Sequence, residues 1–159
     1  MKNNYFKLFS SIFICLLAGL IGSLFTRPAI DTWYAGLDKP FFNPPNWIFA
    51  PTWTILYILI GIAFYLIWQS GQKREQIKLA LIVFIVHLFL NAGWSIIFFG
   101  WQNSQIAFID IVILWMMIAW LLDLFYKIRK SAMYLLIPYF LWVSFALLLN
   151  LSIWQLNYF

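Results

Sequence analysis

Five long apolar runs, separated by polar connectors, dominate the hydrophobic pattern of this chain. A helix needs about 20 apolar residues to cross the hydrocarbon core of a bilayer, and each run meets that length. The pattern therefore predicts an all-α membrane protein, a bundle of five transmembrane helices in a single domain over residues 1–159. The predicted spans are residues 8–26, 47–69, 77–99, 105–126 and 134–156.

The connector between the first two spans, residues 27–46, differs from the others in length and composition. It contains four prolines, which stiffen it, and several aromatic residues that would need to be buried. Long connectors in compact proteins are usually either functional or disordered, and buried aromatics argue against disorder. The prediction is a long structured loop that covers one end of the bundle as a lid.

The composition supports a membrane protein, because 65% of the residues are apolar and 9% are charged. A soluble domain carries roughly a quarter charged residues. The net charge of +5 does not indicate nucleic-acid binding, because the basic residues lie in short clusters between the apolar runs. The lone Cys15 excludes a disulfide within the chain, and no metal-ligand spacing occurs, so neither a metal nor a cofactor is predicted.

The basic residues also predict the orientation of the bundle. Eight of the ten lie on the side of the N-terminus, where the positive-inside rule places the cytoplasm. The loop and the C-terminus are therefore expected outside, in a topology that suits a bacterial inner membrane. Arg27 and Lys39 lie on the loop side, and the other eight are Lys2, Lys7, Lys73, Arg74, Lys78, Lys127, Arg129 and Lys130.

Ten tryptophans form the most unusual feature of the composition. Membrane proteins place Trp in belts at both interfaces, which accounts for those near span ends. Trp53, Trp94 and Trp142 lie one to two turns inside a span, and position alone leaves belt and pocket equally open for them. Helical spacing puts these residues on three stripes, which are Trp53–Tyr57–Phe64, His87–Asn91–Trp94–Phe98 and Tyr139–Trp142–Ala146–Asn150.

Two of these stripes mix aromatic rings with hydrogen-bonding groups, which favours the bundle interior over a lipid-facing position. An aromatic cavity with few polar groups is typical of a site for a flat apolar ligand. His87 and Asn91 have a simpler alternative, a hydrogen bond between helices. Asp110 is the costliest polar group in a span, and it is expected to pair with Arg27 or a loop donor, or to touch ligand.

Small residues in the first span and one pair of charged residues support two further local predictions. In the first span, Ala18 with Gly22 and Gly19 with Ser23 form pairs at i,i+4, a spacing suited to close helix contact. Near the opposite end of the bundle, Asp123 and Lys127 have the i,i+4 spacing of an ion pair.

Three ordered blocks of sequence resemble the translocator protein family, also called tryptophan-rich sensory proteins or peripheral benzodiazepine receptors. The first is Trp33-Tyr-Ala-Gly-Leu-Asp-Lys-Pro-Phe-Phe-Asn-Pro-Pro45, which is followed by Trp53-Thr-Ile-Leu-Tyr57. The second is Leu90-Asn-Ala-Gly-Trp-Ser-Ile-Ile-Phe-Phe-Gly100, and the third is Leu136-Ile-Pro-Tyr-Phe-Leu-Trp142 with Asn150. The resemblance runs from the first span to Asn157.

The resemblance implies a five-helix bundle, usually a homodimer, that binds porphyrins such as protoporphyrin IX. Many members of the family also bind cholesterol and isoquinoline or benzodiazepine drugs, so the resemblance implies these ligands as well. The family pocket lies among the helix ends beneath the first loop, and its tryptophans match Trp53 and Trp142. Light-dependent porphyrin breakdown has been attributed to bacterial relatives, with the same two tryptophans implicated.

The chain departs from the family pattern at three places. His87 stands where a glutamine is common, four residues before the third-span asparagine. The cholesterol-recognition pattern near the end of the fifth span is missing, which weakens the case for a sterol ligand. Ile82 and Val86 replace the small-residue dimer motif of animal members, so the dimer surface is not predicted.

The leading hypothesis is a membrane protein that binds tetrapyrroles in a sensory or disposal role, with Arg27 or Lys39 pairing with the propionates. Photo-oxidative porphyrin degradation by Trp53 and Trp142, and translocation across the membrane, are the alternatives. No nucleophile–base pair indicates chemistry in the dark. The predicted ligand-binding residues are Trp33, Tyr34, Trp53, Tyr57, His87, Asn91, Trp94, Asp110, Tyr139, Trp142 and Ala146.

Overall fold

The computed structural model describes residues 2–71 and 74–158, and the side chains of residues 4–71 and 75–158. Of the basic residues that predict the orientation, Lys73 lies outside this part, as do the side chains of Lys2 and Arg74. The described residues form five α-helices, each long and apolar enough to cross a membrane, and contain no strand. The helices are α1 (Lys2–Ile30), α2 (Phe49–Trp68), α3 (Arg74–Ser95), α4 (Ser104–Ile128) and α5 (Lys130–Tyr158). The predicted all-α, five-span architecture is confirmed.

Helix α1 continues beyond its predicted end, through Arg27 and Pro28 to Ile30. The loop therefore begins at Asp31 and is shorter than the expected range of residues 27–46. Pro28 has no N–H to donate to the Leu24 carbonyl, and in the last turn this loss costs one hydrogen bond without interrupting the helix before it. The carbonyls of the last four helical residues lack helical partners in any case. The Thr32 hydroxyl donates to the Pro28 carbonyl at 2.8 Å, which satisfies one of these groups.

Helices α3, α4 and α5 also begin before or end after their predicted apolar runs, because hydropathy marks the lipid core and not the residues at which helical hydrogen bonding ends. Helix α2, in contrast, lies within its predicted run of residues 47–69. Helix α3 continues into a π-helical turn, Ile96–Gly100. A short 3-10 turn, Asn46–Ile48, precedes α2. Arg129 alone separates α4 from α5. The Asn103 side chain caps α4 by accepting from the Ile106 amide at 2.9 Å.

The end of the bundle away from the loop is closely packed. Phe84 stacks between two other rings, at 4.4 Å from Phe64 and 6.2 Å from Phe125. At the rim of this end, the predicted ion pair between Asp123 and Lys127 is confirmed, with 2.6 Å between Oδ2 and Nζ. The cavity described below lies toward the other end, beneath the loop.

Close contact between α1 and its neighbours depends on glycines. A Cβ on Gly19 would lie 2.3 Å from the Tyr57 ring, and a Cβ on Gly22 would lie 2.9 Å from the Ser95 hydroxyl. On α2, a Cβ on Gly61 would lie 2.6 Å from the Cα of Ile12. The small-residue pairs of the first span therefore do allow close helix contact.

The loop is ordered by contacts with the bundle and with itself. Tyr34 is buried, and its hydroxyl bonds to Asn43 Oδ1 at 2.8 Å. The Asn157 amide near the end of α5 makes two bonds with the backbone of Asp38, at 2.9 and 3.0 Å. Phe42 packs edge-on against Phe145 of α5 at 6.2 Å. The predicted structured loop is confirmed.

Candidate functional site

A cavity of about 550 Å³ lies beneath the loop, within the range of about 300–1,000 Å³ typical of small-molecule sites. Its walls come from α1, α2, α5 and the end of α3, while α4 contributes no lining residue. Tyr34 of the loop lines it from above. The loop therefore contributes to the cavity wall through Tyr34.

Aromatic rings from two helices form much of the wall. On α2, Trp53 stacks on Tyr57 at 5.5 Å with an interplanar angle of 28°. On α5, Trp142 contacts Phe49 at 6.1 Å and Phe145 at 5.5 Å. Stacked and edge-on rings at these distances attract one another beyond simple burial, so the wall is held in one arrangement.

A buried polar bridge supports this wall from behind. Asn91 of α3 accepts a hydrogen bond from the Tyr57 hydroxyl and donates one to the Tyr139 hydroxyl at 3.0 Å. The ring of Tyr139 lies edge-on to Trp53 at 6.2 Å. Because unpaired polar groups are costly in a membrane interior, Asn91 determines where both phenols lie and thereby positions Trp53.

A second bridge holds Trp94 in the wall. Its indole N–H donates to Asn150 Oδ1 at 3.0 Å, and the Asn150 amide donates to the Ser104 carbonyl at 2.8 Å. The ring of Trp94 stacks on Phe98 at 5.0 Å. Phe98 belongs to the π-helical turn, a feature that often occurs at functional sites, and its neighbour Phe99 also lines the cavity.

Two polar groups of the cavity, one on its aromatic wall and one at its rim, are placed to contact a ligand. The indole nitrogen of Trp142 is buried without a hydrogen bond to any described residue. Arg27, at the rim, makes no hydrogen bond or ion pair within the described part of the chain, although Asp31 follows it by four residues. The cavity thus offers the buried, unpaired indole N–H of Trp142 on its aromatic wall and the Arg27 cation at its edge.

The structure brings six of the predicted ligand-binding residues to the cavity lining. They are Tyr34, Trp53, Tyr57, Trp94, Trp142 and Ala146. Asn91 and Tyr139 lie immediately behind the wall, in the bridge described above. Trp33 lies outside the lining, where its ring packs edge-on against Phe98 at 5.4 Å.

His87 and Asp110 lie away from the cavity. The His87 side chain is fully buried, and its Nδ1 is 2.6 Å from the Phe84 carbonyl, so this nitrogen carries the proton that is donated. Asp110 does not form the expected ion pair with Arg27, because it lies on α4, the helix that does not reach the cavity. One of its carboxylate oxygens is directed toward Gly93, and the other is buried without a partner in the described part of the chain.

The sequence predicts Arg27 as a partner of the ligand, but not the rest of the wall that α1 contributes. Its lining residues recur every three to four positions along the helix, and they are Leu16, Gly19, Leu20, Ser23, Thr26, Arg27 and Ile30. This spacing of small, hydroxyl-bearing and apolar residues is a readable signal. It lacks the aromatic residues that mark the stripes on the other helices, since no α1 residue in the lining is aromatic.

Burial of Tyr34 predicts a measurable pH response of the loop. Burial raises the pKa of Tyr34 to about 12 from its usual value near 10. The unfolded loop therefore ionises first, and the stabilisation from Tyr34 is complete below about pH 10 and is lost as the pH rises toward 12. Absorbance titration should show one phenol ionising at about pH 12 that is missing in Tyr34→Phe. An unchanged titration curve in that variant would contradict the assignment.

Comparisons with known proteins agree with this architecture over almost the whole chain. The chain is 41% identical to the tryptophan-rich protein TspO of Chlorobaculum tepidum over 157 residues, which cover 99% of both chains. It is 44% identical to a protein of the same name from Archaeoglobus fulgidus, over 97% of this chain and 99% of that one. It is 34% identical to the human translocator protein, over 89% and 85% of the two chains. The sequence model of the TspO/MBR family matches residues 11–155, and the chain therefore belongs to that family of integral membrane proteins.

Proposed function

We propose that the protein binds flat apolar tetrapyrroles of the protoporphyrin IX type in the cavity beneath its loop, in a sensory or disposal role. The observation that carries this proposal is the aromatic wall of Trp53 and Trp142, on which a macrocycle can stack. Each such ring contact contributes about 0.5–1.5 kcal/mol beyond burial. Isoquinoline and benzodiazepine drugs are flat and apolar too, and they suit the same wall.

The polar groups of the cavity support an anionic amphiphile with a hydrogen-bond acceptor. The free indole N–H of Trp142 can donate to a ring or carbonyl acceptor of the ligand. Arg27 at the rim can pair with a propionate, since guanidinium and carboxylate form strong charge-assisted bonds. Lys39 is less suitable, because its ammonium already donates to the Leu37 and Ala35 carbonyls at 2.9 and 3.3 Å.

Removal of both wall indoles should weaken porphyrin binding. We expect the Trp53→Phe/Trp142→Phe variant to bind protoporphyrin IX at least tenfold more weakly than the unmodified protein, since smaller rings lose stacking area and the Trp142 donor. Ligand absorbance titrated in the dark measures the affinity. Trp101→Phe is a matched control, because Trp101 is exposed at the end of α3 and does not line the cavity. Equal affinity in the double variant and the control would disprove the proposal.

The same titration, repeated under light, separates binding from photochemical loss. Recovery of intact porphyrin after illumination would support binding alone. A new bilin-like spectrum that the double variant fails to produce would support degradation instead. Porphyrin flux into liposomes would support translocation, the activity that the names of the mammalian relatives suggest for those proteins.

We also propose that the chain forms a homodimer in a bacterial inner membrane, with its N-terminus in the cytoplasm. The family resemblance supports the dimer. The charge pattern supports the orientation, because the described basic side chains at the end away from the loop are Lys7, Lys78, Lys127, Arg129 and Lys130.

A further inference from the structure

The cavity has an open side, and the exposure of its lining residues locates that side. The lining residues on α3 and α5 are all buried or half-buried. The exposed lining residues belong to two neighbouring segments only. They are Leu20 and Arg27 on α1, Asn46 in the 3-10 turn before α2, and Ala50 and Thr54 near the start of α2. The cavity therefore opens sideways between α1 and α2, and these five residues define what we call the window.

Helix packing explains why the window occurs at this height. Helices α1 and α2 are in close contact further from the loop, where Gly61 meets the backbone of Ile12 and Gly19 meets the Tyr57 ring. Nearer the loop, residues of both helices line the cavity. The side chains of α2 that face the gap, Ala50 and Thr54, are small and leave it unfilled.

The depth of the window matches one leaflet of a bilayer. Arg27 follows the uncharged run that ends at Thr26, so it lies where the hydrocarbon ends and the head groups begin. Leu20 lies seven residues earlier, about 10 Å deeper at the helical rise of 1.5 Å per residue. The window thus has a cation at head-group depth above an apolar opening at acyl-chain depth.

Arg27 is available to a partner from outside the chain. The side chain is exposed, and it makes no ion pair or hydrogen bond in the described part of the protein. The nearest hydroxyl groups along α1 are turned inward to their own helix: Ser23 donates to the Leu20 carbonyl at 2.7 Å and Thr26 to the Gly22 carbonyl at 3.1 Å. An anion at this rim therefore meets an uncompensated guanidinium.

We propose that the window is a binding site for an anionic phospholipid of the surrounding leaflet. The lipid phosphate pairs with Arg27, and one acyl chain passes between Ala50 and Leu20 into the cavity. A lipid fits this site better than a free anion does. The opening beneath Arg27 is apolar and can accept an acyl chain, and a free anion has no acyl chain to place there. The proposal does not depend on porphyrin binding, although a lipid chain in the cavity would compete with any ligand that enters it.

Lipid retention by the full-length protein tests the window. Purified protein, delipidated in a neutral detergent, is titrated with phosphatidylglycerol or phosphatidylcholine of the same chain length, and bound lipid is counted by native mass spectrometry. We expect phosphatidylglycerol to bind about fivefold more tightly, the gain typical of one basic residue near an anionic surface. Glycerol phosphate, which has the head-group charge without chains, should not bind.

Three variants separate the window from other lipid-facing surfaces. Arg27→Gln should abolish the preference for phosphatidylglycerol, whereas Arg27→Lys should retain most of it. Thr54→Trp should fill the opening and weaken both lipids, while Ile55→Trp, on the exposed face of the next residue, should leave binding unchanged. The thermal midpoint of each variant shows that it is folded.

Two outcomes would overturn the proposal. The first is equal binding of the two lipids by the unmodified protein, and the second is an unchanged preference in Arg27→Gln. Failure of porphyrin to bind would disprove the proposed function and leave this result unaffected. Displacement of bound phosphatidylglycerol by protoporphyrin IX would show that both occupy the same cavity.

Discussion

Replacement of Gly61 by alanine should destabilise the bundle by about 3 kcal/mol, the upper part of the range for overpacked interiors. The added Cβ would lie 2.6 Å from the Cα of Ile12 and 3.0 Å from its amide nitrogen. Backbone atoms cannot rotate away as a side chain can, so α1 would have to move away from α2. By helix propensity alone, alanine would stabilise the helix relative to glycine by about 1 kcal/mol. A loss of stability would therefore come from the contact with α1.

Thermal unfolding in detergent, followed by size-exclusion chromatography after heating, measures this effect. Gly36→Ala is the matched control, because nothing lies within 4 Å of the position that its Cβ would occupy. A Gly61→Ala variant as stable as the control would show that α1 and α2 are not in this contact. Since the same contact sets where the helices separate, such a result would also remove the basis for the window.

Replacement of Asn91 by leucine should cost about 2 kcal/mol and weaken ligand binding as well. The change leaves the hydroxyls of Tyr57 and Tyr139 without partners in the bundle interior. An unpaired buried group costs roughly 1–3 kcal/mol, whereas removal of all partners together can be nearly neutral. The triple variant Asn91→Leu/Tyr57→Phe/Tyr139→Phe should therefore recover much of the lost stability.

Thermal unfolding of the single and triple variants measures the two costs under the same conditions. Asn157→Leu provides a comparison, because its bonds to the Asp38 backbone are exposed and should contribute little to global stability. If the triple variant were less stable than Asn91→Leu, the polar bridge would not be the reason for the loss. Ligand affinity should fall in Asn91→Leu, because Trp53 packs on both phenols.

Much of the candidate site was predictable because it lies on helical stripes. Trp53 with Tyr57, and Trp142 with Ala146, share faces by spacing alone, and all four line the cavity. His87, however, shares a stripe with Asn91 and Trp94 but is deeper, against Phe84 and Tyr139 and outside the lining of the cavity. Spacing identifies a face of a helix, and it does not tell how far along that face the free volume extends.

The sequence by itself determined the five helices, the ordered loop and the family, because lipid requires long apolar spans and the motifs are local in the chain. Tertiary structure alone decided which helices enclose the cavity. Helix α4 is excluded, and with it Asp110, whereas α1 forms a wall although it has no aromatic residue there. The reason is packing: glycines at positions 19 and 61 bring α1 close to α2 at one level and leave a gap at another. That difference in helix separation depends on two chain segments together, and no pattern along one segment could show it.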